Sequence, residues 1–162
     1  MIYERLEAYY RHQIAPNRER NVFPKHILFY RDGVSESQFG MVREKELLQI
    51  VSACHRIKAT QAGLNWDIPK ITLLVVGKRH HARFYPMDNP NVNLPSGLIV
   101  ETKVVAPKQF NFYLQSHDSA LGTARSSHYV VIENGSEYSA RDLQEAVSHS
   151  THLSRTVEET RS

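Results

Sequence analysis

Two apolar runs, and what lies between them, constrain this chain more than any other feature. Ile27-Leu28-Phe29-Tyr30 and Ile71-Thr72-Leu73-Leu74-Val75-Val76 are each almost continuously apolar, the pattern of strands buried on both faces. Between them Leu47, Ile50, Val51, Cys54 and Ile57 recur at helical spacing. Ser35-x-x-Gln38 precedes that helix and matches a capping box, in which the serine oxygen takes an orphan backbone N–H and the glutamine reaches back. The helix is expected to end near Lys58, before the polar stretch 59–67. Strand, helix and second strand make a βαβ unit, which is right-handed and parallel by the usual twist argument.

The remaining elements are weaker. Residues 3–13 read as an amphipathic helix with Tyr3, Leu6 and Tyr10 on one face and Tyr9 at its margin, and 15–25 as a loop. Residues 86–97, with three prolines and three asparagines, read as an exposed, mobile loop. Leu98–Val105, Phe110–Gln115 and His128–Ile132 have strand character, and 133–136 is a turn. A last helix is expected over 139–154, capped by Ser139 and burying Leu143, Ala146 and Val147, with Leu153 at the margin of that face. The tail from Arg155 is polar and expected to fray.

A chain of 162 residues with 41% apolar content can build one domain with a real core. No apolar run approaches the roughly 20 residues of a membrane span, so no membrane association is expected. The N-terminus lacks a basic-then-apolar leader. Cys54 is the single cysteine, so no intramolecular disulfide can form, and an intracellular protein is expected. Residues 1–83 carry 14 Lys and Arg against 8 Asp and Glu, whereas 84–162 carry 6 against 9. That asymmetry suits a polyanion on one part of the surface, or simple scatter on a soluble domain.

Three stretches could carry chemistry. The first is Tyr30-Arg31-Asp32-Gly33-Val34-Ser35-Glu36, which places Asp32 at the C-terminal mouth of a strand, where α/β proteins keep catalytic and metal-binding carboxylates. A turn or cap role would account for Asp32 equally well, and a hard divalent ion needs several oxygen ligands. Glu36 sits in the first helical turn and Glu101 mid-strand, so neither supplies a second ligand. The second stretch is Lys78-Arg79-His80-His81-Ala82-Arg83, directly after the second apolar strand. Its cations suit phosphate oxygens and should line the same sheet edge as Asp32, although a solvated basic loop has the same composition. Adjacent histidines are poor zinc ligands because neighbours point apart. The third is 116–128, rich in hydroxyls and holding His117, Gly122, Arg125 and His128, where backbone N–H groups could approach a phosphate. It lacks the nucleophile elbow a Ser-His-Asp hydrolase would need. Asn134-Gly135-Ser136 matches a glycosylation sequon but reads as a turn.

Taken in this order, Ile27–Glu36, Ile71–Phe84 (ITLLVVGKRHHARF), Asn111–His117 (NFYLQSH) and Gly122–Val130 (GTARSSHYV) resemble the Piwi domain of Argonaute proteins, eukaryotic ones above all. The resemblance implies an RNase H-like α/β fold, a mixed sheet flanked by helices and incomplete here. A partial Piwi domain would occupy 1–155, with a divergent, disordered tail over 156–162. It further implies binding of a guide small RNA and its target RNA in gene silencing (RNA interference), in the cytoplasm or the nucleus.

In slicing members of the family, carboxylates and a histidine hold two Mg²⁺ ions. Asp32 matches one of those catalytic, metal-holding positions, and the others would lie outside this chain. The expectation is therefore a truncated piece without slicing activity of its own. The alternatives are a Mg-dependent endonuclease when completed, or an interaction module for tryptophan-containing partner peptides. The resemblance assigns guide contacts to Lys78, Arg79, Arg83, His117 and Arg125, and loosely to Arg155. Ser37, Leu121 and Ser126 depart from the family's usual glycine, glutamine and proline.

Overall fold

The computed structural model describes residues 2–13, 23–60, 66–89, 91–101, 109–116 and 124–159. Helix α1 (Ile2–Gln13) is followed by strand β1 (His26–Asp32). A helical passage then runs through a 3-10 turn (Glu36–Gln38), α2 (Phe39–Met41), a π turn (Val42–Leu47) and α3 (Leu48–Thr60). Strands β2 (Lys70–Gly77), β3 (Ile99–Val100), β4 (Asn111–Leu114) and β5 (Ser127–Asn134) precede α4 (Ala140–Glu159).

The strands form one mixed sheet in the order β1-β2-β5-β4-β3. β1 and β2 are neighbours, as a βαβ crossover requires. β4 runs antiparallel to both β3 and β5, with Ile99 opposite Leu114 and Phe112 opposite Tyr129. The chain divides into two compact units, and β1, β2 and β5 each contribute to both.

The first unit comprises residues 1–29, 35–73 and 132–136. α1 packs on α3, and Tyr10, Ile57 and Trp66 are buried together with Tyr3, Leu6 and Phe23 against them. The rings of Tyr10 and Trp66 lie 4.7 Å apart, and Phe23 stacks on Trp66 at 5.7 Å. Burial pushes the Tyr10 hydroxyl and the Cys54 thiol above their ordinary pKa values, so Cys54 is a protonated core residue rather than a reactive thiol. The capping box at Ser35 forms: its backbone N–H donates to Gln38 Oε1 at 3.0 Å, and its side chain faces the Gln38 backbone N–H. The helix that follows is not uniform, because a π turn at Val42–Leu47 precedes α3, which buries Ile50, Ala53, Cys54 and Ile57. The extra residue per turn resets the phase of the buried face, leaving Leu48 60% exposed. The turn after β5 requires a glycine. A Cβ on Gly135 would come within 2.6 Å of the Ile71 carbonyl oxygen, which accepts the Gly135 N–H at 2.9 Å. Asn134 of the sequon is used in this turn, where Thr72 Oγ1 donates to its Oδ1 at 3.4 Å.

The second unit comprises residues 30–34, 74–131 and 137–162. Its core holds Leu74, Val75 and Val76 of β2, Phe112 and Leu114 of β4, Tyr129 and Val130 of β5, and Leu143 and Val147 of α4. Phe112 stacks on Tyr129 at 5.3 Å, with Tyr30 edge-on to the same ring. The Tyr30 hydroxyl donates to Ser150 Oγ at 2.7 Å, whose own proton goes to the Val147 carbonyl at 2.9 Å. Burial, followed by the Tyr30 charge, pushes the Tyr129 hydroxyl up to about 12. α4 starts at Ser139, whose Oγ accepts the Asp142 N–H at 3.2 Å, an N-cap satisfying an orphan donor.

Two sequence expectations change. β1 is half-buried along its apolar run rather than buried on both faces. It ends the sheet order, so among the described residues no strand covers its outer edge. Of the strand expected over 98–105, Ile99–Val100 form β3, and residues 102–108 lie outside the described residues. α4 carries helical backbone through Glu159, beyond the expected end at residue 154. The described residues of the loop expected over 86–97 form neither helix nor strand, with Met87 fully exposed.

Candidate nucleic-acid interface

Asp32 is the last residue of β1, and Lys78 is the first after β2. The two strand ends meet there, because Lys78 Nζ lies 3.0 Å from Asp32 Oδ2. Both side chains are more than half exposed, so the pair contributes about 1 kcal/mol at most. Arg31 donates from Nη1 to the Asp32 carbonyl oxygen at 2.5 Å. The sequence placed Asp32 and the basic segment on one edge, and the ion pair shows that they share it. Its chemical meaning is less expected, since the carboxylate already has a cation.

A divalent ion would need more oxygen ligands than one carboxylate supplies. Among the described residues no group of three or more His, Cys, Asp and Glu side chains could hold a metal. The described part of this chain therefore does not fit a Mg²⁺ centre, and no reaction step follows from it.

The basic segment divides by burial. Arg79 and His81 are exposed, whereas His80 and Arg83 are half-buried. Arg83 turns back on its own loop: Nη1 donates to the carbonyls of Ala82 at 2.7 Å and His80 at 3.2 Å. This shapes the loop and leaves the remaining guanidinium donors for an outside acceptor. Arg125, before β5, is exposed. No ion pair or hydrogen bond joins Arg79 or Arg125 to another described residue. His117, Leu121 and Gly122 lie outside the described residues, and Arg155 is placed only as helical backbone in α4.

Beneath these cations lies an aromatic cluster that sequence reasoning missed. Tyr113 of β4 stacks on His128 of β5 at 4.4 Å, and Phe84 and His80 both meet Tyr113 edge-on at 5.1 Å. His128 Nε2 donates to Asn111 Oδ1 at 3.1 Å, and the Asn111 amide is oriented by its own donation to the Gln109 carbonyl at 2.9 Å. His80 Nε2 donates to the Ser126 carbonyl at 2.7 Å. Ser126 is buried and donates its hydroxyl to Gln115 Oε1 at 2.8 Å. The only sequence signal for this cluster is the alternation of β4 and β5, which puts Tyr113 opposite His128 in register.

The family model of the Piwi domain matches residues 1–162. The chain belongs to the Piwi-domain family. Its relatives include Arabidopsis thaliana protein argonaute 4, 44% identical over 124 residues, and argonaute 7, 40% identical over 124 residues. Each alignment covers 76% of this chain but only 13% and 12% of the relative, so the Piwi-domain chain spans about an eighth of those proteins. Among solved structures, the Kluyveromyces polysporus Argonaute with a guide RNA is similar over 90% of this chain and 18% of its own, with 26% identity and a TM-score of 0.76. The C-terminal lobe of a budding yeast Argonaute gives 25% identity and a TM-score of 0.76 over 89% of this chain and 30% of its own. These neighbours establish the RNase H-like α/β architecture of an Argonaute Piwi lobe.

Proposed function

We propose that this chain binds guide RNA, paired or unpaired with its target RNA, as the Piwi part of an Argonaute in RNA silencing, and that it does not cut RNA alone. The observation that carries the reading is the pair of exposed arginines, Arg79 and Arg125, without a partner among the described residues. Lys78 and the Arg83 donors that no described residue uses extend the same basic surface, and the likeness to an Argonaute with a guide RNA supplies the class of polyanion. Guanidinium groups hold phosphate oxygens through two parallel hydrogen bonds. Each phosphate neutralised releases counterions, so affinity falls steeply with salt. The contacts fall on the backbone, so they hold an RNA without reading its sequence.

Asp32 supports the non-cutting part of the reading. One exposed carboxylate with a lysine on it is an incomplete set for two-metal hydrolysis. A filter-binding titration of the purified chain at two salt concentrations tests the binding. Affinity that ignores salt, or that survives Arg79→Ala with Arg83→Ala, would sink it. Cleavage of a guide-paired target by the chain alone, abolished by Asp32→Ala, would replace it with the slicer reading. We place the protein in the cytoplasm or the nucleus, and a fluorescent fusion confined to another compartment would refute that.

A second reading, docking of a tryptophan-bearing peptide, is favoured by one observation. Phe23, Pro24, His26 and Trp66 line a cavity of about 560 Å³ in the first unit, with Lys25 and Lys70 at its walls. An indole could stack there and gain cation–π contact. A pull-down with a Trp-rich peptide that is unchanged by Phe23→Ala would dismiss it.

A further inference from the structure

His80 stands in the middle of a cationic run, and its surroundings are those of a neutral group. The Ser126 carbonyl can only accept, so His80 Nε2 at 2.7 Å must carry the proton. The other ring nitrogen, Nδ1, is buried with no hydrogen-bond partner among the described residues. An imidazolium would put a second N–H there, buried and unsatisfied, which is costly for a charged donor. The ring edge also rests against Tyr113 at 5.1 Å. The acceptor is held in turn: Ser126 is buried, its hydroxyl bonds Gln115 Oε1, and the Gln115 backbone pairs with Gly97 and Leu98.

The consequence lies one residue upstream on each side. Arg79 precedes His80, and Arg125 precedes Ser126. The His80–Ser126 hydrogen bond therefore ties the loop after β2 to the segment entering β5 at the residues beside the two exposed arginines. We propose that His80 is an uncharged tether that positions Arg79 and Arg125 on one phosphate-binding surface, without touching the RNA itself. This rests on the RNA-binding reading above. The positioning lowers the cost of binding because less freedom is lost when the two guanidinium groups engage a backbone.

The test is an anisotropy titration of the 162-residue chain with labelled single-stranded RNA, run on four variants. His80→Phe keeps an aromatic ring against Tyr113 and removes the donor. His80→Gln places an amide N–H within reach of the Ser126 carbonyl. The double variant Arg79→Ala/Arg125→Ala removes the positioned groups, and the triple variant adds His80→Phe to it.

His80→Phe should weaken binding about tenfold, the scale of one lost charge-assisted contact, while His80→Gln stays within about threefold of the parent. In the double-arginine background His80→Phe should change affinity by less than about twofold, because a residue acting through others has nothing left to position. A full further loss in that background means direct contact and overturns the proposal. So does a His80→Phe variant that binds like the parent, or a His80→Gln variant as weak as His80→Phe. If the double-arginine variant binds like the parent, the RNA surface itself is misassigned, and that outcome is distinct from a failed tether. Nitrogen NMR of the unsubstituted chain gives a readout independent of folding in the variants. The His80 ring should show the neutral Nε2–H tautomer at neutral pH with and without RNA, and an imidazolium on RNA addition overturns the tether.

Discussion

The end of β1 and the segment entering β5 treat their charges in opposite ways. At the first, Asp32 has a cation 3.0 Å away, supplied by the same unit. At the second, Arg125 stands exposed with no described partner, as does Arg79 beyond the His80–Ser126 bond. A charge neutralised within its own fold gains little from a ligand, because the internal pair must first open. A charge left in water beside a rigid anchor loses only solvent and counterions when a phosphate arrives. On the proposed reading, binding falls at the arginines and Asp32 modulates that surface.

The strongest challenge to this contrast is to delete the unpaired charges. Arg79→Ala with Arg125→Ala should lower RNA affinity at least about 30-fold, and should reduce the slope of log affinity against log salt by about 1.4 for two single-strand phosphate contacts. A salt series checks both, and an unchanged slope breaks the comparison. The next effect concerns a group kept uncharged in the interior. Tyr129 holds its proton up to about 12 when folded, against an ordinary value near 10. Between those values the unfolded chain has lost a proton that the folded chain keeps, so stability falls as pH rises through the window and is lower by on the order of 2 kcal/mol above it. Denaturant melts at pH 9 and pH 12 should show that fall, and Tyr129→Phe should lessen it by that residue's share, the raised Tyr10, Tyr30 and Cys54 keeping the rest.

A smaller effect has the opposite sign. Asp32→Ala frees Lys78 and removes a nearby anion, so RNA affinity should rise about two- to threefold at low salt and return to the parent value at high salt, as expected for an exposed, screened charge. A fall in affinity would mean that the pair orients Lys78 rather than occupying it. Smallest of all, Lys78→Ala should shift stability by less than about 1 kcal/mol, since both partners are solvated. A larger loss in a chemical melt would show that the strand ends depend on their ion pair.

How much of this was legible varies with the kind of interaction. β2 was legible because every one of its apolar residues is buried and the run 71–76, apolar but for Thr72, is too short for a buried helix. The start of the helix was legible from Ser35 and Gln38, a local pair that depends on nothing distant. Burial of β1 on both faces was misread, since the letters of Ile27–Tyr30 carry no record of sheet order. The π turn at Val42–Leu47 was invisible because it changes backbone hydrogen bonds without changing side-chain type. The site was half legible. A basic run after a strand announces a phosphate surface, but His80 differs from His81 only through Ser126 and Tyr113, which lie more than thirty positions away. Composition counts both histidines alike, and tertiary contact separates them. Arg83 is similar: its fold-back onto Ala82 and His80 carbonyls follows from loop geometry rather than from residue type.

Trp66 is the one tryptophan of the chain, 4% exposed and packed in a triangle of rings with Tyr10 and Phe23. All three rings belong to the first unit. The intrinsic fluorescence of this protein is therefore a local optical signal, blue-shifted by a dry environment and fed by energy transfer from Tyr10. It will follow the melting of that unit and stay silent about the arginines. Far-ultraviolet dichroism, which averages every helix and strand, will not share that blindness. Any gap between the two melting curves would measure how independently the two halves of the chain come apart.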